Sequence, residues 1–107
     1  MSEKLYDSYL RILKLLWEYG DLTAAQLSNL CQADVGWNRN TTYTVIKKCV
    51  EKGFVQRIEP RFLCHALLTK DQAQAQEVRR LTEQLFNGDH DDLIAYLKKQ
   101  PCTRPFA

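Results

Sequence analysis

Residues 37–48 read WNRNTTYTVIKK, a stretch that opens on an aromatic residue, continues through amides and hydroxyls, and closes on two lysines. Asn38 and Asn40 are both of a residue type that favours the N-cap of a helix. Gly53 follows at a spacing where a glycine commonly ends a helix. We therefore expect a helix that starts at one of these asparagines and ends near Gly53, with Trp37 as an anchor in front of it.

The expected helix has an apolar side and a polar side. At helical spacing the apolar residues fall together, and they are Val45, Ile46, Cys49 and Val50. The opposite side is rich in hydrogen-bond donors and cations, namely Asn40, Tyr43, Thr44, Lys47 and Lys48. A solvated surface helix and a helix that lies against a polyanion both fit this division. The neighbouring segments have to distinguish the two.

Two helices are predicted before this one. The first runs from Asp7 or Ser8 to Gly20, with an apolar stripe at three- and four-residue spacing. The stripe consists of Tyr9, Ile12, Leu13, Leu16 and Trp17. Thr23 with Gln26 three residues later matches a capping box and predicts a second, short helix. A loop is expected at residues 33–38, ADVGWN.

After the third helix the pattern changes from helical spacing to that of strands. Residues 54–59 (FVQRIE) and 62–68 (FLCHALL) predict two strands, and Pro60-Arg61 between them predicts the turn. Three helices followed by a hairpin with a basic tip describe a winged helix-turn-helix. The fold class is therefore mainly α with a small β-hairpin.

The C-terminal third of the chain predicts two more helices, separated by NGDHDD at residues 87–92. Thr69 is expected to cap the first of them, and Asp89 or Asp91 the second. Their apolar side is too large for one protomer to hide easily and consists of Val78, Leu81, Leu85, Phe86, Leu93, Ile94 and Leu97. The predicted division of the chain lies between residues 68 and 69.

Positive charge is concentrated around the third helix. The chain has a net charge of +2, whereas residues 38–61 alone hold six basic and two acidic side chains. Residues 1–37 and 70–97 are both net acidic. A local basic excess of this kind is the electrostatic footprint of a surface that meets phosphate.

A helix of this composition suits the major groove of DNA, where base edges are distinguishable. Arginine can bind guanine, asparagine can bind adenine, and a threonine methyl group can pack on thymine, whereas lysines and a basic wing tip suit phosphates. The candidate DNA-binding residues are Arg39, Asn40, Thr41, Thr42, Tyr43, Thr44, Lys47, Lys48 and Arg61. The sequence thus predicts double-stranded DNA as partner.

Three stretches, in this order, resemble the penicillinase-repressor family (the BlaI/MecI/CopY type). They are ILKLLWEYGDLTAAQLSNL (12–30), NTTYTVIKKCVEKGFV (40–55) and LFNGDHDDLIAYL (85–97). The resemblance covers residues 8 to about 97 and implies a winged-helix transcriptional repressor. It also implies a homodimer bound to a dyad operator, often with TACA/TGTA-type half-sites.

The resemblance implies roles for individual residues as well. It places Asn40, Thr41 and Tyr43 at base-reading positions, and it places Thr42, Lys47 and Lys48 near the DNA backbone. The C-terminal helices would form the dimerisation element, through the apolar side that runs from Val78 to Leu97. The predicted domains are then a winged-helix DNA-binding domain at 1–68 and a helical dimerisation region at 69–107.

The chain departs from the family in three places. Family members that respond to β-lactams are cleaved at an Asn-Phe bond, where this chain has Ala95-Tyr96-Leu97. The copper-responsive members end in a CxC cluster, where this chain has only Cys102. The last residues, QPCTRPFA, contain two prolines that oppose a further helix. The inducing signal, whether a signal protein, a protease or a metal, is therefore not transferable, and a smaller dimer is expected.

No catalytic site, cofactor or metal site is predicted. His65 and His90 lack a spaced partner for catalysis, and the adjacent Cys64 and His65 should point to opposite faces of a strand. The cysteines, which are Cys31, Cys49, Cys64 and Cys102, contain no CxxC pair. We expect them to stay reduced, and a redox or metal sensor is the alternative interpretation.

The cellular setting is predicted from the absence of targeting patterns. The N-terminus carries charges within an amphipathic segment rather than a signal peptide, and no apolar run approaches about 20 residues. We therefore expect a cytoplasmic protein with no membrane partner. A winged helix that binds protein or RNA instead of duplex DNA is a further alternative.

Overall fold

The computed structural model describes residues 3–100, with side chains placed from residue 7 onward. Over these residues the chain forms five helices and three short strands. In chain order they are α1 (Glu3–Tyr19), β1 (Leu22–Thr23), α2 (Ala24–Val35), α3 (Arg39–Glu51), β2 (Val55–Ile58), β3 (Leu63–Ala66), α4 (Lys70–Leu85) and α5 (His90–Lys99). The predicted winged helix-turn-helix, mainly α with a small sheet, is confirmed.

The chain divides after Lys70 into two compact units. The winged-helix unit holds α1 to α3 and the sheet, and the helical unit holds α4 and α5. No helix within residues 3–100 combines the length and the apolar character needed to cross a membrane. Cys102 and the two prolines of the tail lie outside the described residues.

The stripe of α1 forms the centre of the winged-helix core. Its members Tyr9, Ile12, Leu13 and Leu16 are buried. Trp17 is half-buried and its indole Nε1 donates a hydrogen bond to the Leu68 carbonyl at 2.9 Å. The helix starts at Glu3, earlier than the predicted cap at Asp7 or Ser8, because no glycine or proline interrupts the chain before them.

The second helix begins as predicted and ends later. The Gln26 amide donates to Thr23 Oγ1 at 3.1 Å and the Thr23 amide donates to Gln26 Oε1 at 2.9 Å, so the capping box is confirmed. The prediction of a loop from residue 33 is wrong, since α2 continues to Val35. Gly36 ends it with a φ of 74° and donates its amide to the Gln32 carbonyl.

The sheet contains one strand that the sequence did not predict. The strands β2 and β3 form the expected hairpin, with Val55 opposite Ala66 and Ile58 opposite Leu63. The two-residue β1 adds to the other edge of β3, with Leu22 opposite Cys64, which gives the order β1-β3-β2. A strand of two residues has no periodicity, and therefore leaves no signal in the sequence.

The helical unit consists of α4 and α5, which are joined by a tight turn at Asn87 and Gly88, both with positive φ. Asp89 is the N-cap of α5, and its side chain accepts a hydrogen bond from the Asp91 amide at 2.8 Å. The rings of Phe86 and Tyr96 lie 5.7 Å apart and close this turn. The helix α4 begins directly after the predicted cap at Thr69.

Candidate nucleic-acid interface

The helix α3 is capped at one end and anchored on one face. Asn38 is the N-cap, since its side-chain oxygen accepts a hydrogen bond from the Thr41 amide at 2.7 Å. Ile46 and Cys49 are fully buried in the winged-helix core. Because Asn38 does the capping, Asn40 lies exposed in the first turn with no capping role. The core therefore fixes which side of α3 faces outward.

The predicted DNA-binding residues fall into three groups by burial. Tyr43 is half-buried and Thr42 is buried. The exposed members are Arg39, Asn40, Thr41, Thr44, Lys47, Lys48 and Arg61. The first turn of α3 contains no acidic residue, so its outward face combines amides, hydroxyls and cations.

Thr42 belongs to the core, and its predicted contact with the DNA backbone is wrong. Its side chain is 0 % exposed, and its hydroxyl donates to the Asn38 carbonyl at 3.2 Å. Thr42 lies four residues before Ile46 and seven before Cys49, which places all three on one helix face. A side chain on that face cannot reach a phosphate. The role near the DNA backbone came to Thr42 from the family resemblance, which placed it there together with Lys47 and Lys48.

The side chains of the first turn hold each other in place. The Arg39 guanidinium lies 5.1 Å from the centroid of the Tyr43 ring, and Arg39 Nη2 donates to Tyr43 Oη at 3.3 Å. Thr44 Oγ1 donates to the Asn40 carbonyl at 2.8 Å. Arg39 is therefore presented on an aromatic face and has fewer conformations to lose on binding.

The hairpin meets this first turn through Phe62, a residue that the sequence had placed only in a strand. The rings of Tyr43 and Phe62 are 5.9 Å apart and nearly perpendicular. The guanidinium of Arg57 lies 3.8 Å from the centroid of the same Phe62 ring, and Arg57 Nε donates a hydrogen bond to Glu59. We call these five residues, Arg39, Tyr43, Phe62, Arg57 and Glu59, the wing cluster.

Sequence reasoning missed the functional potential of Arg57 and Phe62. Arg57 entered the count of basic residues without a role, although an arginine and an aromatic residue on either side of a Pro60-Arg61 turn can stack across a hairpin. That spacing is the signal that could have found the pair.

A model of the family described as penicillinase repressor matches residues 7–103. The chain belongs to the penicillinase repressor family. The match confirms the resemblance seen in the sequence, and family membership fits transcription regulation, repression and DNA binding. Members of this family are regulators and not enzymes. No curated protein matches the chain.

Three of the cysteines in this member of the penicillinase repressor family are buried thiols. Cys31, Cys49 and Cys64 are free and buried. Burial raises the pKa of Cys31, raises that of Cys49 to about 12 and raises that of Cys64 to about 11. Within the described part of the chain, no group of three or more His, Cys, Asp or Glu residues could hold a metal ion.

Raising the pH above 9 is expected to destabilise the fold through Cys49. The unfolded chain loses this proton near the ordinary pKa of 9.0, whereas burial holds it on the folded thiol up to about pH 12. The free energy of unfolding should therefore fall, by up to about 1.4 kcal/mol per pH unit for this thiol. Urea unfolding of the parent and of Cys49→Ala between pH 8 and pH 11 checks this, since the variant should lose stability less steeply. Equal slopes would contradict it.

The pair Cys64 and His65 is divided between the two sides of the sheet, as predicted. Cys64 is buried, whereas His65 is exposed and its Nδ1 lies 2.8 Å from Asp21 Oδ1. This contact ties β3 to the start of β1. The two side chains cannot share a nucleophilic site because they point to opposite faces.

Proposed function

We propose that the protein is a transcriptional repressor that binds double-stranded DNA in a sequence-specific manner, as a homodimer on a dyad operator. The observation that supports this best is the anchored face of α3. Burial of Ile46 and Cys49 leaves the side with Asn40 and Lys47 exposed. Through Phe62 the hairpin contacts Tyr43 near the start of the same helix, where a winged helix meets the groove.

In this proposal side chains of the first turn of α3 contact the bases, and side chains of its later turns contact phosphates and position the protein on the DNA. Arg39 and Asn40 are the side chains suited to guanine and adenine edges, and Tyr43 supports Arg39. Lys47, Lys48 and the wing-tip residue Arg61 are suited to phosphates. Thr42 has no part in the interface beyond fixing the helix to the core. A dimer seated on an operator represses by occupying promoter DNA.

The helical unit supplies the dimer surface in this proposal. Its large exposed apolar residues are Val78, Leu81, Leu85, Ile94, Tyr96 and Leu97. Tyr96 joins the set predicted from the sequence. Leu93 is 8 % exposed and Phe86 is half-buried against Tyr96, so these two support the surface from within the protomer. A repressor works where the chromosome is, so a cytoplasmic location is part of the proposal.

Selection of bound duplexes from a random library tests DNA binding and symmetry together. We expect an enriched sequence with two inverted half-sites, because a two-fold dimer reads the same sequence twice. The affinity for it should fall steeply as salt rises, since each neutralised phosphate releases counterions. Enrichment of no sequence at all, or tighter binding to single-stranded RNA than to the selected duplex in a direct competition, would contradict the proposed function.

Alanine variants on α3 should separate sequence reading from positioning. Asn40→Ala or Tyr43→Ala should cost about 1–3 kcal/mol of binding free energy at the selected operator and relax the preference at one base position. Lys47→Ala should weaken binding to the operator and to unrelated duplexes by the same factor. Competition titrations with single-base operator variants measure both effects. A uniform loss for Asn40→Ala would show that it reads no base.

A further inference from the structure

Phe62 is held in one orientation by three parts of the winged-helix unit. Its carbonyl accepts a hydrogen bond from the Ala24 amide at the start of α2, at 3.0 Å. Its ring contacts Tyr43 on α3 and Arg57 on β2. Its φ of 53° lies in the left-handed region, which a bulky residue adopts only where its surroundings hold it. The Phe62 ring is therefore held in a fixed position between α3 and the hairpin.

The Arg57 guanidinium lies over this ring, and much of the Arg57 side chain is in solvent. The guanidinium is 3.8 Å from the ring centroid of Phe62, and 46 % of the side chain is exposed. Within the described residues Arg57 forms an ion pair with Glu59, whose side chain is also exposed. An exposed ion pair contributes little to stability. A phosphate group that approaches Arg57 can therefore replace the Glu59 carboxylate, with the loss of only a small interaction free energy.

We infer that Arg57 is a phosphate-binding residue of the wing, positioned by Phe62, and that Glu59 competes with the DNA backbone for it. This inference rests on the proposed function. Arg39 contacts Tyr43, Tyr43 contacts Phe62, and Phe62 contacts Arg57, so this row of side chains has a guanidinium at each end. A duplex that contacts Arg39 is then expected to contact Arg57 as well. A guanidinium held over an aromatic face binds phosphate oxygens with its edge. In the free protein Nε of this guanidinium donates to the Glu59 carboxylate.

The first test is the loss of Arg57. Arg57→Ala should weaken binding roughly tenfold, at the operator and at unrelated duplexes alike, because a charge-assisted contact to the backbone is lost. The slope of log affinity against log salt should become shallower by about 0.9, the value of one phosphate. Fluorescence anisotropy of labelled duplexes over a potassium chloride series measures both quantities.

The second test is a gain of binding, which a damaged fold cannot produce. Glu59→Gln should tighten binding roughly two- to fivefold, the range that an exposed ion pair is worth. The gain should vanish when Arg57→Ala is present as well. Glu77→Gln is the matched control, since it removes the same charge and another arginine pair, with Arg80 on α4. A gain that is equal with and without Arg57, or equal in Glu77→Gln, would overturn the inference.

The role of Phe62 is tested by exchanging the ring for an aliphatic side chain. Phe62→Leu should weaken DNA binding roughly two- to fivefold through the loss of the cation–π contact. Phe62→Tyr keeps an aromatic ring and should bind DNA with the affinity of the parent. In the Arg57→Ala background Phe62→Leu should have little further effect. If Phe62→Leu weakened binding by the same factor in the Arg57→Ala background as in the parent, Phe62 would be a general structural residue and not a positioning residue for Arg57.

The parent protein separates this inference from the proposed function. If the parent selects no duplex, the proposed function fails and the inference fails with it. If the parent selects an operator whose affinity and salt dependence are unchanged in Arg57→Ala, only the inference fails.

Discussion

Replacing Leu85 with aspartate is expected to dissociate the homodimer and to weaken operator binding by about 10²–10⁴-fold. Leu85 is 71 % exposed on the helical unit, the largest value among its apolar residues. In the proposed dimer this side chain is buried, and a carboxylate at its place would lose its hydration without a partner. A dimer binds its second half-site as an intramolecular step, and a monomer loses that advantage.

Leu67→Asp provides the control for this change. Leu67 is a half-exposed leucine of the winged-helix unit, and its substitution adds the same charge. Sedimentation equilibrium should show a monomer for Leu85→Asp and a dimer for Leu67→Asp at the same micromolar concentration. A parent protein that is itself monomeric under these conditions would remove the dyad operator from the proposal.

Local signals explain why most of the fold could be predicted. The capping box at Thr23 and Gln26 lies within four residues, and the α1 stripe lies within residues 9–17, so both can be recognised without knowing the rest of the chain. The same holds for Asn38, which is confirmed as the cap of α3. Elements of this kind are specified by residues close together in the sequence.

The parts that could not be predicted depend on partners far away in the sequence. The strand β1 exists because Leu22 and Thr23 find an edge of β3 some 40 residues later. Thr42 and Thr41 are the same residue type, and only the packed core separates the buried one from the exposed one. The position of the Phe62 ring likewise depends on contacts with α2, α3 and β2 together.

Replacing Ile46 with alanine is expected to lower the free energy of unfolding by about 2–5 kcal/mol. Ile46 is 0 % exposed and holds α3 to the core, so the truncation loses apolar burial and leaves a cavity. Guanidinium unfolding should show a lower midpoint at an unchanged slope. The comparison has to be made at one protein concentration, because dimerisation adds to the apparent stability.

Lys47→Ala is the matched control, one residue further on the exposed face, and should change the stability by no more than about 0.5 kcal/mol. The two variants then distinguish the buried face of α3, which stabilises the fold, from its exposed face, which binds DNA. Folded Ile46→Ala should keep the sequence preference of the parent because its side chain faces the core, whereas Lys47→Ala should keep the fold and lose affinity. The opposite pair of results would mean that the helix presents its other face to DNA. In that case Thr42, Ile46 and Cys49 would have to be exposed, which their burial in the winged-helix core opposes.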